Sequence, residues 1–179
     1  MSIRELAREA GTNSALISYY FGGKDGLYEA VLERQFAPIA SLLDNVAGLD
    51  MTPADRIMHY ARSVAGIHGS RPYLTKYLTW EMGSPSAYFE SFIRRYIQRV
   101  FAFLNRAFRE GVVRGEFRVD LDPEATTLAL VGMLNFYYIA RPIRQHLLAD
   151  GTERERDERY VLEAVNIFLD GVKIYENEP

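Results

Sequence analysis

The chain has 179 residues, of which 48% are apolar and 25% charged; this suits a globular protein of one domain, or one with a small appendage, and excludes disorder. A net charge of −3 excludes a protein that coats nucleic acid over its whole surface, but not a small DNA-reading module, which depends on local charge. The absence of cysteine removes disulfides, thiolate nucleophiles and Cys-ligated zinc together.

No run approaches the ~18 uninterrupted apolar residues of a membrane span. No charged n-region followed by an apolar h-region opens the chain, so the expectation is a cytoplasmic protein without a signal peptide. His59, His68 and His146 lack the spacing of a metal-binding helix. No metal or other cofactor is expected. No nucleophile–base pair or glycine-rich phosphate loop points to an enzyme.

Apolar residues recur at three- and four-residue spacing throughout, without strand-like alternation, which predicts an all-α fold. The expected helices cover residues 2–9, 13–20, 24–46, 54–68, 72–82, 85–110, 123–148 and 153–175. Thr52-Pro53, Ser84-Pro85 and Asp122-Pro123 read as starts with proline at the first helical position, and Ser70-Arg71-Pro72 is a looser version.

In chain order, Ser2 and Glu5 form a capping box, and Ile3, Leu6, Ala7 and Ala10 form one face of a short helix. Gly11 ends it. A second short helix follows from Asn13, with Leu16, Ile17, Tyr20 and Phe21 expected inward and Ser14, Ala15, Ser18 and Tyr19 outward. Two short helices joined by a glycine-containing turn make a helix-turn-helix, whose second helix can enter a major groove. Pro38 falls inside the expected helix 24–46 and removes one backbone donor, which predicts a kink or break.

Further on, Phe89, Phe92, Ile93, Tyr96, Val100, Phe103, Leu104 and Ala107 share one face of helix 85–110. Residues 128–140 are apolar nearly all round, and a second copy of the chain is the simplest cover for them. Thr152 and Glu155 form another capping box. The mixed charges from Glu153 to Arg159 read as a solvated first turn. Aromatic side chains with a few polar ones on apolar helices could line a cavity for a hydrophobic or aromatic ligand. The residues singled out for it are His59, Tyr77, Trp80, Glu81, Phe92, Tyr96, Asn135 and Tyr138.

The stretch MSIRELAREAGTNSALISYYFGGKDGLY (residues 1–28) strongly resembles the DNA-binding domain of the TetR family of transcriptional regulators. The resemblance is carried by Tyr19, Tyr20, Phe21, Lys24 and Asp25. Gly111-Val112-Val113-Arg114-Gly115-Glu116-Phe117, followed by Asp122-Pro123-Glu124, resembles a turn in that family's C-terminal domain. The resemblance implies a helix-turn-helix domain with its connecting helix over residues 1–46. It further implies a ligand-binding and dimerisation domain over 47–179. It would set Asn13, Ser14, Ala15, Ser18 and Tyr19 in or beside the major groove, and Ser2, Tyr20 and Lys24 against phosphates. A lysine at a helix N-terminus suits an anion on physical grounds too. Where relatives often carry lysine and glycine, this chain has Ser14 and Ala15, so base preference is not inherited.

The implied partners are double-stranded operator DNA, a second copy through the last two helices, and a small-molecule effector. The implied activity is a repressor released from a palindromic operator. Family members begin with a further helix across the helix-turn-helix. Here its absence would leave Ile3, Leu6, Ile17 and Phe21 short of cover, at roughly 1.5–3 kcal/mol per fully uncovered side chain. The sequence as given is therefore expected to start inside a longer protein. The alternative is a dimeric helical small-molecule-binding protein that does not bind DNA.

Overall fold

The computed structural model describes residues 2–46, 49–147 and 152–174. It divides into two compact units, Met1–Pro38 and Ile39–Pro179. Among the described residues all regular structure is helical apart from one isolated bridge between Phe117 and Lys173.

In the first unit, α1 (Ile3–Glu9) opens with the expected Ser2–Glu5 capping box, and α2 (Ser14–Phe21) is capped by Asn13. Helix α3 (Lys24–Val46) runs unbroken through Pro38, so the expected break is absent. The division between the units falls inside α3, and Leu43 beyond Pro38 joins the core of the second unit. The buried apolar residues of the first unit are Ala7, Ile17, Leu32 and Phe36.

The second unit contains α4 (Pro53–Ser70), α5 (Leu74–Gly83), α6 (Phe89–Phe92), a π-helical segment Ile93–Ile97, α7 (Gln98–Val113), α8 (Pro123–Ile139), α9 (Arg141–Leu147) and α10 (Glu153–Val172). Helix α4 packs on α7 and α10, and α7 on α8. Ile57, Ala61, Leu104, Phe108, Leu130 and Val165 are fully enclosed between them. Phe92, Tyr96, Val100, Leu104 and Phe108 are all buried, a row at every fourth residue. A straight α-helix would carry such a row about 40° off the core per step; the wider π turn compensates. The amphipathic face expected here is therefore present, with Phe89, Ile93 and Phe103 half-buried beside it.

Thr52-Pro53 and Asp122-Pro123 start helices as expected, with Thr52 accepting from the Asp55 N–H and Asp122 from those of Glu124 and Ala125. Ser84-Pro85 does not: the next helix begins at Phe89. The expected helix 123–148 is two helices, with Ala140 between them. Pro142 offers no N–H to continue α8, yet is tolerated in the first turn of a new helix, where the N–H groups of Ile143 and Arg144 donate to Ala140. The expected ends at Leu148 and Tyr175 lie outside the described residues.

Between α7 and α8, Gly115 takes φ +74°, and the Gly111 carbonyl accepts from the N–H groups of Glu116 and Phe117. This folds Phe117 into the core with no exposed surface. Among the described residues no helix is long and apolar enough to cross a membrane.

Candidate functional sites

Each residue proposed for DNA contact lies in the first unit. Gly11, at φ +61°, makes the left-handed exit from α1 that a side chain would strain. Asn13 Oδ1 then accepts from the Ala15 N–H at 2.8 Å, fixing the start of α2. Ala15 and Ser18 are exposed, Ser14 is half-buried, and Tyr19 and Tyr20 are 81% and 72% exposed. The two tyrosine rings meet edge to face at 5.1 Å. Ser2 is exposed, with its backbone N–H donating to Glu5 and its hydroxyl accepting from the Glu5 N–H. Lys24 is exposed in the first turn of α3.

The inward set expected on α2 is narrower than the sequence suggests. Ile17 alone is buried; Leu16 is 49% and Phe21 40% exposed, and Tyr20 points into solvent. Helix α1 has only two turns and covers a single stripe of its neighbour. Ile3 and Leu6 are half-buried.

Two features here escape the sequence reading. Arg4 and Arg8, one turn apart on α1, line an open hollow of about 580 Å³ with Thr12, Asn13 and Ser14. Their spacing of four residues was the available signal. Gly26 is the second: a Cβ there would stand 1.9 Å from the Phe21 carbonyl oxygen. The end of α2 and the start of α3 approach that closely only because position 26 has no side chain.

The second unit holds a cavity of about 650 Å³, with walls from α4, α5, α8, α9 and α10. His68 and Tyr138 stack in its wall, ring centres 3.8 Å apart. His68 Nδ1 shares a 3.2 Å hydrogen bond with the Thr75 hydroxyl, and burial lowers the imidazole pKa to about 4. Asp157 and Tyr138 are buried and line the same space. Burial raises the Asp157 carboxyl above its ordinary range, against the opposing pull of the Tyr137 hydroxyl and Arg144. Arg144 lies 3.5 Å over the Tyr137 ring, which stacks in turn on Tyr160 at 3.7 Å.

Of the residues expected at a ligand site, Tyr138 lines this cavity and the others do not. His59 and Tyr77 are half-buried and Trp80 is largely exposed. Glu81 is fully buried and accepts from the backbone N–H and hydroxyl of Ser86. Phe92 and Tyr96 pack on each other at 5.7 Å. Asn135 donates to the Val131 carbonyl of its own helix. The solvated turn expected from Glu153 to Arg159 is corrected at Asp157, which lies one helical turn before the core residue Val161 and so on the inner face of α10. Among the described residues no group of His, Cys, Asp and Glu could hold a metal ion.

Residues 1–31 match the family of bacterial regulatory proteins, tetR family. The chain is 24% identical over 118 residues to the "Probable HTH-type transcriptional regulator YttP" of Bacillus subtilis, a match spanning 65% of this chain and 57% of that protein. It is 26% identical over 156 residues to the HTH-type transcriptional repressor SCO4008 of Streptomyces coelicolor, spanning 83% and 73% respectively. Among solved structures, the TetR family transcriptional regulator PfmR from Thermus thermophilus superposes with a TM-score of 0.77 at 17% identity, covering 98% of this chain and 88% of that one. A tetR family regulatory protein from Rhodococcus gives 0.78 at 17% identity and the same coverage. The amino-terminal segment thus matches the tetR family over residues 1–31, and the fold is similar to those of the solved TetR family regulators.

Proposed function

We propose that the chain is a dimeric transcriptional repressor that binds an approximately palindromic DNA operator and leaves it when a small molecule occupies the second unit. The observation that carries this reading is the solvent-facing surface of α2, where Asn13, Ser14, Ala15, Ser18 and Tyr19 stand along one short, well-capped helix. Small and polar side chains at such positions can reach base edges in a major groove. Ser2, Tyr20 and Lys24 flank that surface as phosphate contacts, and Arg4 and Arg8 add positive charge beside them.

A second copy would cover a row on α8 that this chain leaves bare: Leu128, Gly132, Phe136 and Ile139 are all exposed. Ile167 on α10, at 68%, and Leu162, at 38%, are also exposed. Such a face marks a protein interface. A two-fold pairing of the two chains would offer their reading helices to half-sites about 34 Å apart.

The effector would sit beside Tyr138 and have an aromatic or otherwise apolar part. Its differential affinity for two arrangements of the core would set how far it lowers operator affinity. Fluorescence anisotropy with DNA from upstream of the coding region tests the reading. Sequence-selective binding that weakens steeply with salt is expected. Lys24→Ala should weaken all sequences alike and reduce the salt slope by about one. Absence of selective binding would leave a ligand-binding dimer instead.

A further inference from the structure

Two polar groups in the cavity are left unsatisfied by the protein. Asp157 is 9% exposed and Tyr138 7%, both line the cavity, and neither Asp157 Oδ1 nor the Tyr138 hydroxyl has a hydrogen-bond partner. The Arg144 guanidinium stands 3.7 Å from Asp157 Oδ1, near enough to offset its charge but beyond hydrogen-bond reach; the Tyr137 hydroxyl also pulls on this carboxyl, yet it too ends without a hydrogen-bond partner. Proteins seldom leave a buried acceptor without a donor, and one that persists at a cavity wall calls for a partner from outside the chain.

The cationic side chains of the same wall fall into two classes. Arg141 and Arg154 are each engaged by a carboxylate, Glu153 and Glu158. Arg62 and Arg71 also line the space, and neither has a carboxylate partner among the described residues. The cavity therefore combines a waiting acceptor with two cations that have no counter-charge.

Resting on the effector reading above, we propose that the cavity takes a small zwitterionic molecule. Its N–H donor would meet Asp157 Oδ1 and the Tyr138 hydroxyl, and its carboxylate would meet Arg62 and Arg71. A volume of about 650 Å³ accommodates a single-ring compound of this type.

Four probes that share one ring separate the contributions: tyrosine carries both charges, tyramine only the amine, 4-hydroxyphenylacetate only the acid, and p-cresol neither. Calorimetric titration of the full chain should rank tyrosine first, about tenfold or more above either singly charged probe. Asp157→Asn should erase the preference for tyrosine over 4-hydroxyphenylacetate. Arg71→Ala should reduce its preference over tyramine, and Arg62→Ala with Arg71→Ala should erase it. Arg71 is half-buried, outside the enclosed core, so its variant retains the test should Asp157→Asn fail to fold. Binding of p-cresol as tight as that of tyrosine, or no binding of any probe at millimolar concentration, would overturn the proposal. An operator-release assay separates the two readings. Release by p-cresol alone keeps the effector role and removes the zwitterion; tyrosine binding without release keeps the zwitterion site and removes the effector role.

Discussion

The rings of His68 and Tyr138 lie face to face, 3.8 Å between centres and 8° from parallel. The contact joins α4 to α8 and places a titratable group in the cavity wall. With the Thr75 hydroxyl on its Nδ1, the ring is held neutral at pH 7 because burial lowers its pKa to about 4 from 6.5.

That displacement predicts an acid-sensitive fold. Between about pH 6.5 and pH 4 the unfolded chain takes up a proton on His68 that the folded chain refuses. Stability is therefore complete above that window and falls as the pH drops through it, by up to about 3 kcal/mol. Melting temperature against pH should fall less steeply on the acid side for His68→Gln. Identical profiles would show that the ring is hydrated in the folded protein.

Gly26→Ala should separate DNA binding from folding of the second unit. The new Cβ would meet the Phe21 carbonyl oxygen at 1.9 Å, and backbone yields less easily than a side chain. The end of α2 must move, so on the proposed reading operator affinity should fall by about tenfold or more, since misplaced polar contacts cost at least 1 kcal/mol each. Gly22→Ala makes a useful contrast. It meets open space, but φ +70° costs it roughly 1–2 kcal/mol of local strain. Equal operator binding by Gly26→Ala and the unaltered chain would refute the close-approach account.

On the proposed pairing, Phe136→Glu should convert dimer to monomer. In one chain Phe136 is 66% exposed, so the substitution leaves the subunit core intact and helical content unchanged. Burying the new carboxylate against a second copy costs several kcal/mol. Sedimentation at matched concentrations checks this, and an unaltered protein that is itself monomeric would overturn the interface.

Gly111→Ala should destabilise the second unit by about 1–3 kcal/mol. Its Cβ would stand 2.1 Å from Phe117 Cδ2, and Phe117 is wholly enclosed. Pairing it with Phe117→Leu should recover part of the loss, giving a non-zero coupling in a double-mutant cycle followed by thermal melting.

Local chemistry made much of this protein legible in the amino-acid order. Caps at Ser2, Asn13, Thr52, Asp122 and Thr152 fix helix starts through hydrogen bonds spanning two or three residues, so they can be read without knowing the fold. The glycine exit at Gly11 and the amphipathic face ending at Ala107 are local in the same sense. The cavity wall was not legible, because it is a relation among distant segments. Aromatic abundance pointed to Trp80 and Phe92, yet packing turned one outward and enclosed the other. Only the tertiary structure brought His68, Tyr138 and Asp157 together from three helices. It also drew Asp157 out of a charge run that otherwise reads as solvated, because the turn leading to Val161 faces the core. Burial is decided by what the rest of the chain lays against a side chain, and no short window of residues contains that information.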